Sequence, residues 1–202
     1  MIVSTRHGFV FIGINKTGTT SVESVLRPYR NRFYLKYLKL KFRYRYGDRR
    51  AFKHVPATIA RDLVGPRVWD RSFTFTFVRN PWARVVSEYT KHRHDPDSGL
   101  SLKEGFTRWV CNGGNWLARE NTMTDFVSDD EGREIVDYIG RIEDSGRSFK
   151  DICQQIGIPP VELPKLNRSA NPYAYRDMYS PRTREIVDGW VGQDAERFGY
   201  RF

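Results

Sequence analysis

The sequence predicts an α/β fold, with a central, mostly parallel sheet flanked by helices. Two observations carry that expectation. Phe9 to Ile12 is a short β-branched and aromatic run, followed by a glycine-bracketed loop and then a helical pattern. Ser72 to Arg79 alternates Phe73, Phe75 and Phe77 with Thr74, Thr76 and Val78, so neither face is charged and both can be buried, as in a parallel sheet covered by helices. A chain of 202 residues that is 39% hydrophobic and 14% aromatic is large enough for a proper core, which excludes a disordered chain. No repeat or low-complexity linker interrupts it, so one domain over residues 1–202 is expected.

In order, the first strand is Phe9 to Ile12. Gly13 and Gly18 bracket a loop holding Asn15, Lys16 and Thr17. The hydroxyls Thr19, Thr20 and Ser21 lead into a helix with Val22, Val25 and Leu26 on one side, stopped by Pro28. Residues 27–50 carry ten Lys or Arg against one acid, Asp48, interleaved with seven Tyr or Phe. From Leu38 to Tyr46 apolar and basic residues alternate strictly, which suits a strand, whereas Tyr34, Leu35 and Leu38 suit a helix equally well. Arg50 to Val55 reads as a second short strand ending near His54. Pro56 opens a helix from Ala57 to Val64, closed by Gly65-Pro66. After the strand at 72–79, Asn80-Pro81 turns the chain into a helix from Trp82 to His92, with Trp82, Val85, Val86 and Tyr89 near one face. A helix from Leu102 to Cys111 follows. Thr124 to Ser128 and Glu134 to Ile142 are expected as strands about a turn at Asp129–Gly132. Ser148 and Asp151 resemble a capping box for a helix ending at Gly157. A loop at 159–164 precedes a last helix opened by Ser180-Pro181, and the tail Phe198, Tyr200 and Phe202 is expected to pack into the core.

Strand, glycine-bracketed loop and helix form the layout of a phosphate cradle, in which backbone N–H groups and the helix dipole converge on one anion. Gly13 and Gly18 have the spacing of G-x-x-x-x-G-K-[ST], but Thr19 stands at the lysine position and the lysine sits inside the loop, at Lys16. The expected architecture is thus a P-loop NTPase-like three-layer sandwich without the usual grip on a β/γ-phosphate and magnesium. The plain alternative is an ordinary strand-turn-helix connection with threonines for capping. Three expected parallel strands end in chemistry, at Gly13/Lys16, His54 and Arg79, and in open α/β sheets ligands bind beyond the carboxyl ends of the strands. The net charge of +10 points to an anionic partner. Residues 27–50 read as a surface for an anionic acceptor, as a peripheral membrane or nucleic-acid patch, or as a solvated basic face. Cys111 and Cys153 form no C-x-x-C pair, His92 and His94 form an H-x-H pair in a polar loop, and no signal peptide or apolar run of about 18 residues is present. A soluble, cytoplasmic protein in a reducing compartment is expected.

Residues 13–21, Gly-Ile-Asn-Lys-Thr-Gly-Thr-Thr-Ser, resemble the 5′-phosphosulfate loop of sulfotransferases. Residues 77–89, from Phe77-Val-Arg-Asn-Pro to Ser87-Glu-Tyr89, resemble their 3′-phosphate motif, with the matching spacing from Arg79 to Ser87. Tyr138 to Glu143, Leu163 to Ser169 and Phe198 to Phe202 are similar to further blocks of the carbohydrate sulfotransferase family; residues 27–50 match none of its patterns. The resemblance implies the cofactor 3′-phosphoadenosine-5′-phosphosulfate, its product adenosine 3′,5′-bisphosphate, no metal, and an acceptor hydroxyl or amine, most naturally on a glycan. It implies that Asn15, Lys16, Thr17, Gly18, Thr19, Thr20 and Ser21 hold the 5′ end, that Arg79 and Ser87 hold the 3′-phosphate, and that Arg168 and Ser169 close over the cofactor. Lys16 then steadies the leaving oxygen and His54 is the general base. Two other classes stay open: a P-loop-type small-molecule kinase, and a basic nucleic-acid or membrane-binding module. Nucleic acid is the least expected partner.

Overall fold

The structure is a computed structural model that describes residues 1–47, 52–92, 95–164, 166 and 174–202. It divides into two compact units. The first comprises Met1–Val78 and Asp125–Leu166, the second Arg79–Thr124 and Asn167–Phe202.

The first unit holds a four-stranded sheet in the order β1 (Ile2–Ser4), β2 (Phe9–Ile12), β3 (Phe73–Val78), β4 (Tyr138–Arg141). β1 is antiparallel to β2; β2, β3 and β4 are parallel. The register sets Phe9 beside Phe73 and Phe11 beside Phe75, so one face is paved with phenylalanine. Val22 and Leu26 of α1 (Thr19–Leu26) and Phe149, Ile152 and Cys153 of a later helix, Ser145–Gln155, bury that face. Thr76 Oγ1 donates to the Ile12 carbonyl across the strands (2.7 Å), and Asp137 binds the Thr74 hydroxyl and N–H (both 2.7 Å), which fixes the approach to β4. The fold is thus α/β, with a mostly parallel sheet flanked by helices.

Several local expectations change. β1 is an additional strand. Phe52 and Lys53 form a short 3-10 turn, not a strand; β2 already has β1 on one side and β3 on the other, so it has no free edge for that segment. The segment left open is a helix, α2 (Arg32–Tyr46), capped by Asn31, whose side chain accepts from the Tyr34 N–H (3.0 Å). Leu35, Leu38 and Phe42 provide its buried face. The alternation from Leu38 survives in a helix because Leu40 and Tyr44 are left outside. α3 (Ala57–Val64) and α4 (Pro66–Trp69) follow as one helix broken at Gly65.

The second unit is helical. α5 (Pro81–His92), α6 (Leu102–Cys111) and α7 (Trp116–Arg119) lie in it; α8 (Met123–Val127) follows. The expected strand at 124–128 is therefore a helix, reduced to one bridge between Ser128 and Glu134. The buried Asp194 carboxylate accepts the Met123 and Thr124 N–H groups (2.8 and 2.9 Å) and so starts that helix. α9 (Ser145–Gln155) begins three residues before the expected Ser148, which instead is buried inside it against Gly140. α10 (Pro181–Arg197) opens on a Ser180/Thr183 capping box and runs beyond Val191. Trp82, Val85, Val86 and Tyr89 of α5 pack with Phe106, Val110, Val187 and Val191, and Tyr200 and Phe202 of the tail pack against this cluster. Among the described residues no helix is long and apolar enough to cross a membrane.

Candidate active site

The loop after β2 is built from its backbone outward. Ile14 is fully buried, and its carbonyl accepts two hydroxyls, from Thr17 Oγ1 (3.1 Å) and Thr19 Oγ1 (2.5 Å). Both threonines are buried, so their shape serves the loop first. Lys16 sits at φ 67° and Gly18 at φ 78°, with Thr17 between them outside that region. Alternating left-handed and ordinary backbone makes successive N–H groups converge, the geometry of an anion nest. A non-glycine residue held there carries strain of order 1 kcal/mol, which the surrounding contacts must offset. Gly18 is also the N-cap of α1, whose first turn holds no acid, so the positive end of the helix dipole is not neutralised there.

Glycine is required at both brackets. A Cβ on Gly18 would run into the Ile142 side chain, 2.8 Å from Cγ1. A Cβ on Gly13 would lie 2.8 Å from Thr19 Cγ2 and 3.1 Å from the Lys53 carbonyl. Both glycines thus let the loop pack closely against its neighbours, Ile142 on one side and Thr19 and Lys53 on the other.

His54 reaches this loop although it ends no strand. Its Nδ1 lies 2.9 Å from the Gly13 carbonyl. A carbonyl oxygen only accepts, so Nδ1 carries the proton of this hydrogen bond. Ser21 Oγ accepts the Leu166 N–H (3.3 Å), which ties Leu166 to the start of α1. Thr20 is exposed, and Asn15 and Lys16 are half-buried.

A cavity of about 670 Å³ is lined by residues of β1, α1, α2 and the Phe52–Lys53 turn, and by none of the loop itself. Arg27, Arg30, Lys36, Lys39 and Lys53 line it against one acid, Glu23, with Phe52 and Leu40 as apolar wall. Lys53 joins the two features: its ammonium pairs with Glu23 (3.1 Å), its carbonyl lies under Gly13, and the next residue is His54. The basic excess was legible in the sequence; the place where it lines a cavity was not.

In the second unit, Arg79 is half-buried, and its N–H donates to Met123 Sδ (3.5 Å). Asn80 caps α5 by accepting the Ala83 N–H (3.1 Å), and its amide donates to the Arg201 carbonyl (3.1 Å). Ser87 is half-buried on α5. Arg84, also on α5, is buried and donates to the Asn121 carbonyl and side chain (2.7 and 3.0 Å). Burial pushes its guanidinium below the usual value, opposed by Asp194 and Glu88. Arg168 and Ser169, like His94, lie outside the described residues.

The chain matches the sequence profile of the sulfotransferase family over residues 1–201, across both units. It therefore belongs to the sulfotransferase family, whose chemistry is sulfuryl transfer. It is also 29% identical over 119 residues to an uncharacterized protein of Archaeoglobus fulgidus, a match covering 58% of this chain and 94% of that protein.

Proposed function

We propose that this protein transfers the sulfuryl group of 3′-phosphoadenosine-5′-phosphosulfate to an acceptor hydroxyl, on a carbohydrate by preference, or to an amine. The observation that carries the reading is the nest at residues 16–18 together with His54 hydrogen-bonded to Gly13, the first glycine of the loop. The donor supplies an activated sulfuryl group and a nucleotide phosphate as leaving group. Backbone N–H groups of residues 17–20 and the Thr20 hydroxyl hold its 5′ end in a P-loop-like cradle, since the Thr17 and Thr19 hydroxyl protons are engaged at Ile14. Asn15 and Ser21 complete that cradle. The Lys16 ammonium offsets negative charge at the leaving oxygen, a contribution commonly worth about 10²- to 10³-fold in rate per donor. Arg79 supplies a planar fork of donors for the 3′-phosphate and Ser87 a hydroxyl, with Arg168 and Ser169 closing over the nucleotide. His54, held at the Gly13 carbonyl through Nδ1, is the general base for the acceptor proton.

The basic cavity beside Lys53 is the acceptor's anchoring place, and its excess of cations favours an acceptor that carries negative charge. No step in this scheme draws on a metal.

The test is differential stabilisation. Adenosine 3′,5′-bisphosphate is expected to raise the melting temperature where ATP with magnesium does not, because a ligand that binds only the native state stabilises it by mass action. A response confined to ATP with magnesium would mark a kinase and overturn the reading. With a labelled donor, His54→Ala is expected to keep nucleotide binding and lose most of its turnover. Near-normal turnover would remove His54 from the scheme.

A further inference from the structure

α2 carries two faces, and only one is used by the fold. Leu35, Leu38 and Phe42 are buried. On the opposite side Phe33, Tyr37, Leu40 and Tyr44 stand 84%, 58%, 62% and 96% exposed. These four are spaced by four, three and four residues, which confines them to roughly 60° of arc on a 3.6-residue helix. A second stripe, Arg32, Lys36, Lys39 and Arg43, has the same spacing and runs beside the first, about a quarter turn away. The cations on the other flank are engaged: Lys41 donates to the Asp62 and Leu63 carbonyls (2.9 and 3.0 Å), and Arg45 pairs with the Asp62 carboxylate (2.8 Å). α2 contains no acid at all.

We propose that α2 lies on the surface of an anionic lipid bilayer, with Phe33, Tyr37 and Tyr44 entering the headgroup region and Arg32 and Arg43 facing the lipid phosphates. An apolar aromatic stripe flanked by Lys and Arg, on a helix without acids, is the composition of a helix that lies in the membrane interface. Charge complementarity selects this occupant. A second copy packed stripe to stripe would bring two sets of like charges together with no acid on either helix to offset them. A solvated basic face leaves the four aligned apolar side chains without a purpose. Because Lys36, Lys39 and Leu40 also line the cavity beside Lys53, a protein seated this way presents that cavity close to the lipid surface.

The experiment is co-sedimentation of the full chain with vesicles of phosphatidylcholine alone or mixed with phosphatidylserine. The wild type is expected to bind the mixed vesicles, to bind the neutral ones weakly, and to release with salt. Each cation removed costs roughly fivefold, so Arg32→Gln with Arg43→Gln should weaken binding about 25-fold. Phe33→Ser with Tyr44→Ser should weaken it at least about tenfold even though charge is unchanged. Circular dichroism and stabilisation by adenosine 3′,5′-bisphosphate, both expected unchanged, show that the variants are folded. The readout requires no turnover, so it stands or falls apart from the proposed reaction. Absence of vesicle binding overturns the inference, and so does binding that both variants retain. A wild-type dimer that Phe33→Ser with Tyr44→Ser converts to monomer overturns it too, by assigning the stripe to self-association.

Discussion

At Lys16 the backbone and the proposed chemistry make opposite demands. The left-handed conformation at φ 67° favours glycine, whereas the proposed reaction needs an ammonium there. Lys16→Ala keeps the strain and loses the charge; Lys16→Gly relieves the strain and loses the same charge. Urea unfolding should place the glycine variant at or above the alanine variant by up to about 1 kcal/mol, the relief being partly cancelled by glycine's extra unfolded-state freedom. Sulfuryl transfer should fall about 10²- to 10³-fold in both. A glycine variant that keeps its turnover would show that Lys16 only shapes the loop. At Arg79 the question is which phosphate is held. Wild-type protein should prefer adenosine 3′,5′-bisphosphate over adenosine 5′-phosphate by roughly 10- to 100-fold, the range for hydrogen bonds to charged groups, and Arg79→Ala should abolish the preference. Calorimetry with the two nucleotides checks this. A preference that survives in Arg79→Ala places the 3′-phosphate elsewhere.

Among the elements, those with a strong apolar period were legible from the sequence. β2, β3, α3, α5 and α6 lie where the pattern placed them, because their buried faces are made by their own residues. The elements that were not legible depend on residues far along the chain. The segment from Met123 has β-branched and aromatic content, yet it is helical because Asp194, 71 positions later, caps it. His54 was expected at a strand end and reaches the loop through a turn instead, since β1 occupies the edge that strand would have needed. Asp194 gives the corresponding prediction. Its carboxylate accepts the Met123 N–H, the Thr124 N–H and the Thr124 hydroxyl (2.9 Å) while buried. Asp194→Ala should cost about 2–4 kcal/mol in urea unfolding, because three donors lose their acceptor and the nearby buried Arg84 loses a compensating charge. Asp194→Asn should recover part of it by keeping one acceptor.

For the whole molecule, the sequence carried the family signal and the sign of the charge, while the use of that charge became visible only on folding. Lys and Arg outnumber acids by 34 to 24, and α2 alone holds six of these cations. Such a field draws anions to the protein before any contact forms. The association rate of adenosine 3′,5′-bisphosphate should therefore drop steeply as salt rises through the physiological range, while its dissociation rate changes little; stopped-flow mixing separates the two. An association rate insensitive to salt would mean that the excess charge does not steer. The Ile14 carbonyl carries a consequence of a different kind. With the Thr17 and Thr19 hydroxyl protons turned toward it, the loop offers an anion mainly nitrogen-bound hydrogens, with the Thr20 hydroxyl beside them. Such donors sense an oxyanion's size and charge and are blind to the element at its centre. Sulfate, phosphate and vanadate ions should then compete for one place, and affinities measured in phosphate buffer should read low.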